Sequence, residues 1–388
     1  MSQSANLSLF MSPAETRPLI QLANSLNCEW PYLRKTATDS DHAVDDLNNL
    51  LGSKLGKNFA SEDANLTVFG SLARGEWIDY VSDLDWTYLV DGQARPQHLQ
   101  VSLDIKEALR QEFRKPPGVS RRRSDKEYRF GEPGPTGTFG NLTFSHQLVH
   151  QIGGQDDTNK NTTQRILLLL ESAPVGMKGS HDRVVRAIIK RYLDEQQHLV
   201  SRYEPRFKVP RFLLNDIVRF WRTMAVDFAS KQRDRGGEGW GLRNAKLRMS
   251  RKLIFVSGLL TCFSCSLDPN LQSKISTESR DINLAHLENH VWSYVQQTPL
   301  DIVALSVTKN GVSREVAVDL FSAYDKFLEI MSDREKRQRL KDLRARESRT
   351  DSVFGEVTAA SDRFAGALHD IFFKNDALSP LTEKYGVF

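Results

Sequence analysis

The chain has 388 residues, enough for two domains and a sizeable buried core. Apolar residues make up 39% and charged ones 26%, a balance that excludes a disordered or collagen-like chain, and no run reaches the roughly 18 apolar residues of a membrane span. The net charge is only +4, and three cysteines are too few for a disulfide framework.

In chain order, residues 13–27 and 39–55 carry apolar side chains at three- and four-residue spacing, which predicts two helices. Residues 65–69 and 84–90 are short β-prone runs, with a helical turn between them starting near Ser71. Residues 97–113, with Leu99, Val101, Leu103, Ile105 and Leu109, predict a further helix. Residues 115–140 hold four prolines, five glycines and Arg121-Arg122-Arg123, the composition of a long mobile loop. Residues 142–152 read as a third strand, 153–159 as a turn, and a helix begins at about Thr162.

Beyond that point strand signals almost vanish. Helices are predicted over 184–196, 211–231, 242–260, 282–297, 313–332 and 361–373, and the charge-dense stretch 333–349 reads as a solvated helix. The expected fold class is α+β: a small mixed sheet with N-terminal helices over 1–175, then a mainly helical domain over 176–388. Cys262 and Cys265 follow a helical apolar run and are expected to be buried thiols. The N-terminus shows no basic region ahead of an apolar core, so no signal peptide is expected and a cytoplasmic setting fits.

Residues 68–88 hold the densest chemistry. An apolar run ends in Gly70-Ser71, and Asp83-Leu84-Asp85 opens the next one. Carboxylates at i and i+2 of a strand share a face, where their repulsion is best relieved by a divalent cation. A Gly-Ser turn ahead of a helix can offer backbone N–H groups and a hydroxyl to phosphate oxygens. Serine is equally at home there as a plain helix cap. Trp86 and Tyr88 alternate with Asp85 and are expected in the core.

This stretch resembles the active-site signature of the DNA polymerase β-like nucleotidyltransferase superfamily: apolar-Gly-Ser, about ten residues, then Asp-x-Asp. The wording Gly-Ser-Leu-Ala-Arg-Gly-Glu before Ser-Asp-Leu-Asp is most similar to bacterial nucleotidyltransferase domains, found in protein-modifying, tRNA-modifying, toxin and defence-signal enzymes. The resemblance covers about twenty-five residues. It implies that Asp83 and Asp85 bind Mg²⁺ (or Mn²⁺), and that Gly70 and Ser71 approach the phosphates of an NTP or dNTP. Arg74 either reaches a phosphate or pairs with Glu76, Asp79 or Asp83.

Many members of the superfamily carry a third carboxylate on a neighbouring strand. The run 142–152 contains none; Asp156 and Asp157 lie just past its end, and Glu127 falls in the loop. His146 and His150 share a face of that predicted strand and are alternative bases or structural histidines.

Charge is concentrated between Arg202 and Lys252, where fourteen Lys/Arg face five Asp/Glu and leave the remainder of the chain at −5. Such a block points to a phosphate-bearing partner. The helix 211–231 is expected to bury Leu214, Ile217, Val218, Trp221, Met224 and Phe228, with Arg219 and Arg222 toward its edge. Asn244, Arg248, Arg251 and Lys252 share one face of the next helix at α-helical spacing. Related two-domain enzymes grip the triphosphate from a helical domain across the cleft, so Arg248, Arg251 and Lys252 are the implied contributors.

The implied activity is transfer of NMP or dNMP to a nucleotide or nucleic-acid hydroxyl with release of pyrophosphate. Synthesis of a short oligonucleotide in stress or antiviral defence, and tRNA modification by a toxin, both suit such a domain pair. Adenylylation or uridylylation of a protein acceptor, and a catalytically inactive nucleotide-binding scaffold, are the alternatives.

Overall fold

The computed structural model describes residues 16–112, 139–197, 209–234, 237–275 and 280–386. Most of the loop expected over 115–140, including Glu127 and the arginine triplet, lies outside the described residues.

The protein is mainly helical around one mixed sheet of four strands: β1 (Ala64–Phe69), β2 (Asp85–Val90), β3 (Asn141–Phe144) and β4 (Ser172–Val175), in the order β3-β2-β1-β4. This matches the α+β class. β1 is antiparallel to both β2 and β4, and β3 runs parallel to β2. All six residues of β1 are buried, as a central strand requires. Its alternate residues Ala64, Leu66 and Val68 join Trp86, Tyr88 and Val90 of β2 in one apolar layer beneath helices Pro31–Leu55 and Pro96–Glu112. Trp86 and Tyr88 are thus core residues, as expected. On the opposite face Phe69 and Leu89 belong to a second core that continues into the helices Asn159–Leu170, Gly179–Gln197 and Arg211–Asp234.

β4 has no counterpart in the sequence reading. It is four residues long and contains Pro174, which lacks an N–H and is tolerated because β4 is an edge strand. The third strand is shorter than expected. It stops at Phe144, and Ser145–Val149 forms a helical turn that puts His146 and His150 one turn apart on its exposed side.

The boundary expected at residue 175 falls at the end of β4, but the packing does not divide there. The second core runs from Leu19 in helix Pro18–Ser25 to Tyr385 in helix Ser379–Tyr385. Two carboxylates from the C-terminal half cap N-terminal helices: Asp301 accepts from the Leu19 amide, and Asp325 accepts from the Tyr32 and Leu33 amides. The helical run Trp240–Leu267 is long and apolar enough to cross a membrane by composition, yet 72% of its apolar window is buried inside the protein. It carries Cys262 and Cys265, both buried and free, with thiols that burial pushes up.

The buried stripe of Arg211–Asp234 is Leu213, Leu214, Ile217 and Phe220. Val218, Trp221, Met224 and Phe228 are only half-buried, so the apolar face expected from spacing is displaced toward the helix's N-terminal half.

Candidate functional site

A cleft opens where the ends of β1, β2 and β4 meet the C-terminal helices. The sheet side contributes Gly70, Ser71, Arg74, Glu76, Asp83, Asp85 and Glu171; the helical side contributes Lys246, Ser250, Arg251 and Arg337, with an apolar wall of Phe327, Leu328 and Met331.

Strand pairing builds its floor. Phe69, the last residue of β1, pairs with Asp85 on one side and with Ser172 on the other. Glu171 immediately precedes Ser172 and closes the helix Asn159–Leu170, so the sheet delivers Asp85 and Glu171 to the same end of its central strand. Asp83 sits in an isolated bridge ahead of β2, exposed, while Asp85 is half-buried. Gly70 follows Phe69 with φ +70°, and a Cβ there would stand 3.0 Å from Asp85 Oδ2. Only glycine combines this left-handed backbone with so close an approach.

The electrostatics are those of crowded carboxylates facing crowded cations. Burial, followed by the neighbouring Glu171, pushes Asp85 up to about 6, with Asp83 adding to the shift and Arg251 and Lys246 opposing it. Burial pulls Lys246 down to about 8, helped by Arg337, Arg251 and Arg74 and opposed by Asp83. Burial also lowers Arg337, against the pull of Asp83. Arg337 donates to the Val81 carbonyl at 3.2 Å, which anchors its helix, Arg334–Asp342, over the turn ahead of Asp83.

Arg74 is committed to two partners. One guanidinium nitrogen donates to Glu76 Oε2 at 2.8 Å and another to Glu171 Oε2. These glutamates outweigh its burial and hold it charged. It lines the cleft, but as part of a buried ion cluster.

The remaining expected residues lie elsewhere. Arg248 donates to Ser361 Oγ at 3.1 Å and stands 3.8 Å from Asp362, on helix Ser352–Lys374. Lys252 neighbours Arg248 and Asp362, and burial lowers its pKa. Neither lines the cleft. The reason is local: Leu247–Arg251 is a π-helical turn, whose wider winding rotates the following residues away from α-helical register. Lys246, Ser250 and Arg251 therefore face the site, and of the three expected cations only Arg251 does.

Asp157 is also accounted for structurally. It receives two bonds from the fully buried Arg165, at 3.2 and 2.9 Å, and Arg165 in turn bonds Asp216 and the Tyr192 hydroxyl. Arg219 completes this cluster through the Asp157 carbonyl and Asn159. Asp156 is exposed, as are His146 and His150, and none of the three lines the cleft.

Among the described residues no group of three or more His, Cys, Asp or Glu side chains is arranged to enclose a metal. The donor set fits a cation that completes its shell elsewhere. Mg²⁺ is commonly held by one or two carboxylates plus waters and substrate phosphates, and Asp83 and Asp85 provide two. No protein-family model matches the chain, and no curated protein is significantly similar to it.

Proposed function

We propose that the protein is a metal-dependent nucleotidyltransferase of the polymerase β-like kind, acting in this cleft. The observation that carries the reading is the convergence of Gly70-Ser71, Asp83, Asp85 and a third carboxylate, Glu171, opposite Lys246, Arg251 and Arg337. Anionic oxygens crowd the floor and cations the roof. A nucleoside triphosphate with a divalent cation complements both.

Asp83 and Asp85 would hold Mg²⁺ or Mn²⁺, which when bound supplies Lewis-acid charge to the triphosphate. Gly70 lets backbone approach the phosphates, and Ser71 adds a hydroxyl. Lys246, Arg251 and Arg337 neutralise charge on the triphosphate and on the departing pyrophosphate. Glu171 takes the proton of the acceptor hydroxyl. That oxygen then bonds to the α-phosphorus as the bond to pyrophosphate breaks. The apolar wall of Phe327, Leu328 and Met331 offers a surface for the nucleoside.

The acceptor is a nucleotide or nucleic-acid hydroxyl, a reading supported by the basic block 202–252, which outnumbers its acidic residues by nine. The test is incubation with each α-labelled NTP and dNTP and a divalent cation, in the presence of RNA. Label in RNA or in small oligomers supports the reading. Label in protein bands moves the acceptor to a side-chain hydroxyl, and no release of pyrophosphate leaves only a nucleotide-binding scaffold.

A further inference from the structure

We propose that Tyr324 and Glu76 act through Arg74 as positioning residues for Glu171, so that the seating of helix Arg314–Ser332 fixes the geometry of the cleft floor. The inference rests on the nucleotidyltransferase reading and assigns roles that the reading itself does not need.

The relay is continuous and buried. The Tyr324 hydroxyl donates to Glu76 Oε1 at 2.7 Å, Arg74 donates to Glu76 Oε2 at 2.8 Å, and the same guanidinium donates to Glu171 Oε2. All four side chains are buried. They come from three distant parts of the chain: the turn after β1, the start of β4 and a helix 248 residues beyond Glu76.

Two glutamates share one buried guanidinium whose Nε has no hydrogen-bond partner among the described residues, so its orientation rests on the two bonds that it does make. Glu76 is pinned at both oxygens, one by Arg74 and one by Tyr324. Without the phenol, Glu76 can rotate, and the planar fork of Arg74 loses the partner that aims it. The guanidinium then loses the constraint that aims it at Glu171. Helix Arg314–Ser332 also supplies Phe327, Leu328 and Met331 to the cleft wall. One helix thus provides both wall and strut. A purely space-filling role at position 324 would be met by phenylalanine, so the hydroxyl is the informative atom.

The experiment is steady-state kinetics of pyrophosphate release for Tyr324→Phe, Glu76→Gln, their double variant and Arg74→Lys. Tyr324→Phe is expected to lower kcat roughly tenfold with KM for the nucleotide unchanged, the signature of a displaced catalytic group. The double variant is expected to be no worse than Glu76→Gln, because both changes break one chain. Arg74→Lys is expected to lower kcat further, since an ammonium cannot bridge two carboxylates with the same planar fork. Unchanged kcat in Tyr324→Phe, strictly multiplicative losses in the double variant, or a raised KM in Arg74→Lys would each overturn the proposal. An active wild type with an inactive Asp83→Ala, but a fully active Tyr324→Phe, removes the relay alone. A wild type that releases no pyrophosphate removes the underlying reading and the relay with it.

Discussion

Asp85 and Glu171 flank the end of one strand: Phe69 of β1 is paired on one side with Asp85 and on the other with Ser172, the residue after Glu171. Two acidic side chains far apart in sequence are thereby placed on one cleft floor, close enough for Glu171 to hinder the ionisation of Asp85.

In the proposed reaction this arrangement casts Glu171 as the general base. Glu171→Gln keeps the side chain's size and an oxygen for Arg74 but removes its basicity. Pyrophosphate release should fall by about 10²–10⁴-fold, the usual worth of a general base, with little change in nucleotide affinity. Activity within a few-fold of wild type would assign the proton transfer elsewhere.

Gly70 should be intolerant of any side chain. Its φ of +70° disfavours a Cβ by about 1–2 kcal/mol, and that Cβ would crowd Asp85 Oδ2 at 3.0 Å. Gly70→Ala is therefore expected to lower the melting temperature modestly and to reduce turnover, because the Asp85 carboxylate must give by a few tenths of an ångström. A stable, active Gly70→Ala would show that Asp85 need not sit where it does.

Nucleotide binding should depend on pH through Lys246, held near 8 by burial and neighbouring cations. The ammonium binds phosphate and the neutral amine does not. The contribution of Lys246 to nucleotide affinity is thus full below about 8 and is lost as pH rises through it, with bound phosphate extending the plateau upward, while below about 6 protonation of Asp85 weakens the metal side of the site. Calorimetric titration across this range checks the trend. In Lys246→Arg the alkaline loss should disappear, since arginine stays protonated.

Neighbouring arginines three residues apart should behave differently. Arg251→Ala is expected to weaken nucleotide binding by roughly tenfold to a hundredfold, the worth of one charge-assisted bond to phosphate. Arg248→Ala, which breaks contacts with Ser361 and Asp362 on a distant helix, should leave affinity close to wild type. Equal losses in the two would place the phosphate on the α-helical face rather than in the cleft.

Asp157→Ala should act on stability instead. It strips two bonds from a fully buried guanidinium that keeps Asp216 as its counter-ion, so the loss should fall below the about 3–5 kcal/mol of a buried charge left wholly unpaired. Chemical denaturation should show that loss, with nucleotide affinity of the folded fraction retained.

What the sequence made legible follows the range of the interactions involved. Gly70, Ser71, Asp83 and Asp85 were readable because turn and strand pairing between β1 and β2 are local, so spacing alone brings them together. Glu171 was not. It depends on β4, whose four residues include Pro174, and on a pairing with β1 across about a hundred residues of chain. Lys246 is not legible, and Arg248 looks the better candidate, because α-helical spacing does not hold through a π turn. Arg337 lies in a charge-dense stretch that reads as solvated. Only tertiary packing reveals that one side of helix Arg334–Asp342 buries Leu340 and presents Arg337 to Asp83.

The central claim is tested most directly by pyrophosphate release from a panel of NTPs and dNTPs with Mg²⁺ or Mn²⁺, comparing wild type with an Asp83→Ala/Asp85→Ala variant. The account predicts release by the wild type with at least one nucleotide and none above background by the variant. Equal release by the two, or none by either, would contradict it.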